Sequence, residues 1–385
     1  MNVVLKLHGR EFPYKQPALL CRQEMAYPFI AVHAGAGYHS DSNGTKLKDL
    51  CKTACLKTMA ALREGRDAAE GVAIAISELE SSPLTNSGLG SNLSLTGQVE
   101  CDASVMDGDG GFGSVGALQG VVNPIQVSLE MLRDSSHGTL SLGRVPPLML
   151  TGEGGRLWAE QRGCGLCQPD ELITDRAREV YLDHKSRLDG ASSPAPKHRK
   201  RRREDNGHNK EEPPLDTVGA ICLDGRGGVA GGVSSGGISL KFPGRVGQAA
   251  VFGCGCWAQH TPSKESRAVA CSTSGTGEYI IKTMLAKECA ESMIDSSLEQ
   301  SLTDKFLRSE RLSSVDQRFK LAGVIALNLT TDGDVHFSWG HTTESMCVGY
   351  MSHTHQQPTA VLSKMADPDK AGLTTQVEAL KLSPS

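Results

Sequence analysis

A mixed α and β fold follows from three features of the sequence. An apolar run at 28–36 is stopped by small residues, helical periodicity runs through 44–80, and two apolar hairpins in the C-terminal half close on glycine-containing turns. The run Pro28 to Ala36 reads as a strand. Leu47, Leu50, Ala54, Met59 and Leu62, then Ala68, Val72, Ile74, Ile76 and Leu79, predict two successive helices. Asn86-Ser87-Gly88-Leu89-Gly90 is a glycine-rich loop. Val99 to Met106 and Ser114 to Leu118 are short strands, and Pro124 after Asn123 suits the first turn of a helix.

From Thr174 to Pro214 charge density rises and apolar periodicity fades, so 174–216 is expected to be a disordered insert. A structureless stretch inside a compact domain needs a reason, such as a linker, a regulatory insert or a segment destined for cleavage. Beyond it Thr217 to Leu223, the turn Asp224-Gly225-Arg226-Gly227-Gly228 and Val229 to Ser235 form a hairpin by turn chemistry. Folding about Arg226 sets Ser235 opposite Thr217, so two hydroxyls meet at one strand end. Residues 277–308 are helical, and Ala322 to Leu329 with Asp334 to Trp339 make the second hairpin. The polar residues 353–385 are expected to fray, and 1–27 receive no function.

Composition narrows the function classes. With 385 residues, 38% of them hydrophobic, the chain can fill one large core or two ordinary ones, which excludes wholesale disorder. Its 40 basic and 44 acidic residues give a net charge of -4, so it is no polycation built to coat nucleic acid or an anionic membrane. Lys6, Arg10, Lys15, Arg22 and Glu24 interrupt the early apolar runs, which predicts neither signal peptide nor membrane anchor. The twelve cysteines then read as reduced thiols of cytosol or nucleus. Cys164 and Cys167 form a single C-x-x-C with no second pair, so no metal and no cofactor is expected.

Thr217 is the residue with chemistry to offer. It opens a buried strand just after a segment suited to cleavage. A threonine hydroxyl is a poor nucleophile, but a cut before it would free its own α-amine, with a reference pKa of about 7.7–8.0, as an adjacent general base.

Around it, Leu215-Asp216-Thr217-Val218-Gly219-Ala220, Val233-Ser234-Ser235-Gly236-Gly237, Pro243-Gly244-Arg245-Val246-Gly247-Gln248 and Ser272-Thr273-Ser274-Gly275-Thr276-Gly277-Glu278 follow in order. Together with Val32 to Gly37, Thr85 to Gly90 and His341 to Tyr350, they resemble the type 2 asparaginase family of N-terminal-nucleophile hydrolases, and within it the threonine aspartase branch. The resemblance implies an α+β fold of the four-layer αββα sandwich type. It also implies a proenzyme that cuts itself between Asp216 and Thr217 into an α part (28–216, after the N-terminal extension) and a β part (217–385), paired as (αβ)2. Thr217 would be the nucleophile, Ser235 would hold its rotamer, and Ser274 with the Gly275 N–H would be the oxyanion donors, worth roughly 3–4 kcal/mol each. Asn86 has two readings, positioning the nucleophile or turning the chain. The loop from Glu80 to Ser87 resembles the family's structural sodium loop.

Two departures from the asparaginase pattern bear on the substrate. Glycine is usual before the nucleophile and aspartate three residues after the Gly-Arg, whereas here Asp216 and Gln248 stand there. Arg245 can clamp the side-chain carboxylate of an aspartate while Thr217 attacks its main-chain carbonyl. A neutral Gln248 would tolerate a continuing chain. An endopeptidase cutting protein substrates after aspartate is therefore expected. The other readings are an asparaginase or isoaspartyl peptidase on small substrates and an inactive nuclear adaptor. The run Lys197, Arg199, Lys200, Arg201, Arg202, Arg203 reads as an importin-type nuclear signal ahead of a direct nucleic-acid contact or a solvated linker. Import would take the protein from cytoplasm to nucleus, and the resemblance implies nuclear transcription and chromatin regulators as substrates.

Overall fold

A computed structural model describes residues 5–7, 10–12, 27–192, 217–261 and 266–383. A short ribbon of β1 (Leu5–Leu7) and β2 (Arg10–Phe12) comes first. The chain then runs through β3 (Phe29–Gly37), α1 (Asp41–Arg63), α2 (Ala68–Glu80), β4 (Cys101–Asp107), β5 (Phe112–Leu118), α3 (Pro124–Ser136), β6 (Met149–Thr151), α4 (Gly152–Gln161) and α5 (Asp175–Ser192). After residue 216 come β7 (Val218–Leu223), β8 (Val229–Ser235), β9 (Cys256–His260), β10 (Ser266–Gly275), α6 (Gly277–Thr283), α7 (Leu285–Ser292) and α8 (Leu298–Leu302). Five strands finish it, β11 (Ala322–Thr330), β12 (Val335–His341), β13 (Ser345–Ser352), β14 (Thr359–Lys364) and β15 (Gln376–Leu382).

The fold is α+β, with helices and two larger sheets. One has eight strands in the order β14-β13-β3-β7-β8-β4-β5-β6, and the other five, in the order β15-β12-β11-β10-β9. Neighbours in both are antiparallel except β5 and β6. In β3, alternate residues separate two cores. Phe29 and Ala31 join a cluster shared with the five-stranded sheet, while Ile30, Val32 and Ala34 join one shared with α1, α2 and α3. A strand buried on both faces reads as a continuous apolar run, as β7 does with Val-Gly-Ala-Ile-Cys-Leu.

Local chemistry sets the ends. Ser40 caps α1 by accepting from Asn43 N–H, and Asp67 caps α2 by accepting from Glu70 N–H. The β7–β8 turn is held by Asp224, whose Oδ1 accepts from the N–H groups of Arg226 (2.8 Å) and Gly228 (2.9 Å). Its register pairs Val218 with Ser234, as the hairpin reading requires.

Two expectations are corrected. The first half of the segment expected to be disordered carries α5. This helix is tied down by Tyr181 Oη donating to the Leu95 carbonyl (3.3 Å) and by a 2.9 Å bond between His184 Nδ1 and Ser239 Oγ. The remainder, 193–216, including Asp216, Lys197, Arg199, Lys200, Arg201, Arg202 and Arg203, lies outside the described residues. The tail expected to fray supplies β14 and β15, edge strands of the two sheets. Their apolar residues, such as Val361, Leu362, Val377 and Leu380, are only half-buried at the sheet edges. No helix among the described residues is long and apolar enough to cross a membrane.

Candidate active site

Thr217 stands one residue before β7 and is 5% exposed. Its Oγ1 donates to Ser235 Oγ at 3.0 Å, as the hairpin register places it. Ser235 Oγ also accepts from Gly237 N–H at 3.0 Å, so the turn after β8 fixes the acceptor. Gln248 Nε2 donates to Thr217 Oγ1 at 3.1 Å. The nucleophile candidate therefore has a defined proton direction and one lone pair already engaged.

These residues line a cavity of about 60 Å³ with Asn86, Asn92, Gly237, Ile238, Arg245, Gly275 and Gly277. Of this set Thr217, Ser235, Asn86, Arg245, Gln248 and Gly275 are legible in the sequence as one site, whereas Asn92 and Ile238 are not. A larger cavity, about 510 Å³, lies at the turn end of the same hairpin around Asp224 and Val229 and shares no lining residue with it.

Asn86 acts on the turn. Its Nδ2 donates to the Gly237 carbonyl (2.8 Å), its Oδ1 accepts from Asn92 N–H (2.9 Å), and its own carbonyl accepts from Gly236 N–H (2.8 Å). It thus braces the Gly236-Gly237 turn that holds Ser235. Arg245, its side chain 14% exposed, donates through Nε (2.9 Å) and Nη2 (2.7 Å) to Glu278 Oε1 on the first turn of α6. Gly275 lines the cavity at φ +134°, where an added Cβ would stand 2.3 Å from the Leu321 carbonyl oxygen, so only glycine fits.

Ser274 is not among the residues lining the cavity, and its Oγ accepts from Ala36 N–H at 3.1 Å, satisfying a backbone donor of β3 across the sheet interface.

Several residues missed by sequence reasoning support the site. Asp102, buried in β4, accepts from Gly247 N–H (2.7 Å) and Ala117 N–H (2.8 Å), and burial raises its carboxyl against the pull of Lys241. Glu100 Oε2 accepts from Gly244 N–H at 2.9 Å. The two carboxyl groups grip the backbone on both sides of Arg245. An Asp inside the apolar strand Cys101-Asp102-Ala103 was the available signal. His33 bonds Ser272 Oγ at 3.0 Å, and burial pushes its imidazole down to about 3 against the Thr217 backbone, so a neutral ring lies beside the nucleophile. The eleven cysteines among the described residues are free, and burial raises thiols such as Cys222 and Cys271 away from reactivity.

A strand-borne threonine paired with a serine across a hairpin, beside a glycine-lined cavity holding one arginine, suits nucleophilic acyl transfer. The family profile described as asparaginase matches residues 26–361. The chain belongs to the type 2 asparaginase family of N-terminal-nucleophile hydrolases. It is similar to the human isoaspartyl peptidase/L-asparaginase, 32% identical over 319 residues that cover 82% of this chain and 91% of that protein. The Xenopus laevis isoaspartyl peptidase/L-asparaginase is 30% identical over 313 residues, 81% of this chain and 89% of its own. The isoaspartyl peptidase of Escherichia coli strain K12 is 28% identical over 340 residues, 84% and 96% of the two. This asparaginase-family hydrolase thus shares nearly the whole length of its relatives.

Proposed function

We propose that this hydrolase is a self-processing threonine endopeptidase resembling taspase, which cleaves itself between Asp216 and Thr217 and then cuts protein substrates after aspartate. The observation that carries the reading is the charge of the cavity. Among its described lining residues Arg245 alone bears a charge, and Gln248 stands beside the nucleophile without a carboxylate to receive a free substrate amine. A cavity of that charge suits the carboxylate of an aspartate side chain, and no carboxylate in its lining demands a free substrate amine. Thr217 Oγ first attacks the Asp216 carbonyl. The Asp216–Thr217 C–N bond breaks as the acyl group passes to oxygen, and the hydroxyl proton goes to the leaving nitrogen. Water then hydrolyses the ester to leave a free N-terminal Thr217. Once freed, its α-amine takes the hydroxyl proton for attack on substrate, the leaving amine carries that proton away, and water hydrolyses the ester. Gly275 supplies the oxyanion contact from its N–H.

Packing of α1, α2 and α3 on the eight-stranded sheet, and of α7 on β9 and β10, supports a four-layer αββα arrangement. The nuclear part of the proposal rests on the basic run Lys197 to Arg203, with importin as carrier and nuclear transcription and chromatin regulators as substrates. Pairing of processed chains as (αβ)2 belongs to the same proposal. It includes no membrane partner and no direct nucleic-acid contact.

A second reading, asparaginase or isoaspartyl peptidase on small substrates, is favoured by the names of the relatives. The test begins with the intact mass of incubated wild type beside Thr217→Ala. Splitting between 216 and 217 in wild type alone supports the N-terminal nucleophile. An intact chain in both moves the inactive adaptor reading to the front. Turnover of internal Asp peptides against L-asparagine and isoaspartyl dipeptides then separates the two enzyme readings.

A further inference from the structure

A second cation sits behind the cavity wall. Lys241 is 2% exposed, and its ammonium donates to the carbonyls of Glu100 and Gly236 (3.0 Å to the latter), with no carboxylate among its bonded partners in the described residues. A buried ammonium held only by carbonyl dipoles is costly, and its field reaches whatever lies next to it. What lies next to it is Arg245. A Cβ built on Gly237 would stand 3.1 Å from Lys241 Nζ and 3.1 Å from Arg245 Nη1, so the two cations converge on one glycine of the cavity lining, no farther apart than twice that distance.

The same ammonium also holds the architecture of the site. Gly236, whose carbonyl it binds, precedes the Gly237 N–H that fixes Ser235 Oγ. Glu100, whose carbonyl it also binds, holds the Gly244 N–H just before Arg245. Arg245 itself is shared with the half-exposed Glu278, so Arg245 alone offers the cavity a partly neutralised charge. Among the described residues Lys241 has no acidic hydrogen-bond partner, and the carboxyl that feels its charge is the buried Asp102, which is itself held by the Gly247 and Ala117 N–H groups.

We infer that Lys241 is a positioning residue for carboxylate recognition, the buried charge that makes this cavity prefer an aspartate side chain over its neutral amide. The inference rests on the endopeptidase reading. It gives a task to a lysine that touches no substrate. Its field adds to that of Arg245, and its two hydrogen bonds keep the Ser235 turn and the Arg245 loop in register.

The test uses the full-length, self-processed chain and two matched peptides that differ only in Asp or Asn at the cleaved position. Lys241→Gln keeps two N–H donors for the carbonyls and removes the charge. Lys241→Arg keeps the charge. The expected result is a fall of about tenfold in the Asp-over-Asn ratio of kcat/KM for Lys241→Gln, carried by the KM of the Asp peptide, and a ratio within about threefold of wild type for Lys241→Arg. Equal losses on both peptides, with the ratio unchanged, would overturn the inference and leave Lys241 a structural brace. Should Lys241→Gln not fold, Asp102→Asn reads the same field with opposite sign. The ratio should then rise, and an unchanged or lower ratio refutes the argument. A wild type that turns over the Asn peptide or isoaspartyl dipeptides in preference to the internal Asp peptide defeats the endopeptidase reading itself, visibly before any variant is compared, and the inference falls with it.

Discussion

Gln248→Asp tests the substrate argument most directly. The glutamine is 3% exposed and its amide lies 3.1 Å from Thr217 Oγ1. Aspartate is one methylene shorter, so the side chain withdraws from the nucleophile and one neutral hydrogen bond is lost, at about 0.5–1.5 kcal/mol. The new carboxylate shares the cavity with Arg245, which offsets part of its desolvation. For an internal peptide, whose nitrogen near this position is an uncharged amide, the carboxylate is an unpaired burden of roughly 1–3 kcal/mol. For L-asparagine or an isoaspartyl dipeptide, whose amine is free and charged, it supplies a charge-assisted hydrogen bond of about 1.5–3 kcal/mol. The two effects move in opposite directions, so the ratio of kcat/KM for internal Asp peptide over small amino acid should fall by roughly two to four orders of magnitude. Both activities are measured on the same self-processed preparation, one by peptide products and the other by release of ammonia or amino acid. Variant and wild type with the same ratio would refute the reasoning, because position 248 would then have no part in choosing between a chain and a free amine.

Three other perturbations follow from the same structure. Ser235→Ala leaves the Thr217 hydroxyl and Gly237 N–H without their common acceptor, so kcat and the rate of self-cleavage should drop about 10- to 100-fold with little change in KM; unaltered self-cleavage in a timed mass series would refute it. Gly275→Ala must relieve a 2.3 Å clash and a φ of +134°, so it should lower stability by about 2–3 kcal/mol in urea unfolding, whereas a cost near zero would show that the β10 end can shift. Burial pushes the Glu80 carboxyl up to about 8, so its neutral form is the folded one. Its contribution is full below the unfolded value near 4.5 and is lost as pH rises through 8, which gives stability a downward slope of at most about 1.4 kcal/mol per pH unit in that window. Glu80→Gln should remove that slope, and parallel stability profiles for variant and wild type would show the carboxyl ionised in the fold.

How far the sequence reached depended on how local the determinant was. Thr217 and Ser235 could be paired in advance because turn chemistry at Asp224 to Gly228 fixes the hairpin register, and register fixes every cross-strand partner. Helix α5 escaped because its anchors are few. Ala177, Tyr181 and His184 touch the body while most of the remaining surface is charged and solvent-facing, so the apolar stripe that marks an ordinary helix is nearly absent. Strands β14 and β15 were hidden for the related reason that at the sheet edges their apolar residues are only partly buried among polar neighbours, so no clear apolar run marks them. Asp102 and Glu278 meet Gly247 and Arg245 only in the tertiary structure, and Lys241 is held by its distant bond to the Glu100 carbonyl as well as its near one to Gly236, so no spacing rule announces these partners. Ser274 shows the converse, since its motif was plain but a demand from Ala36 decides where its hydroxyl goes.

The place of Thr217 in the large sheet also bears on what a cut before it would do. Strand β7 lies between β3, which precedes the junction, and β8, which follows it; β8 then pairs with β4, and β3 pairs with β13 on its other side. Three ladders, β13 with β3, β3 with β7 and β8 with β4, therefore join residues before 217 to residues after it. Breaking the one covalent bond removes none of their hydrogen bonds, and the apolar clusters on both faces of β7 draw side chains from both parts. Separation of the parts would require opening the middle of an eight-stranded sheet, which is unfolding by another name. A nucleophile that must become a chain terminus without loosening is thus best started on a central strand, where its neighbours on both sides hold it after the bond is gone.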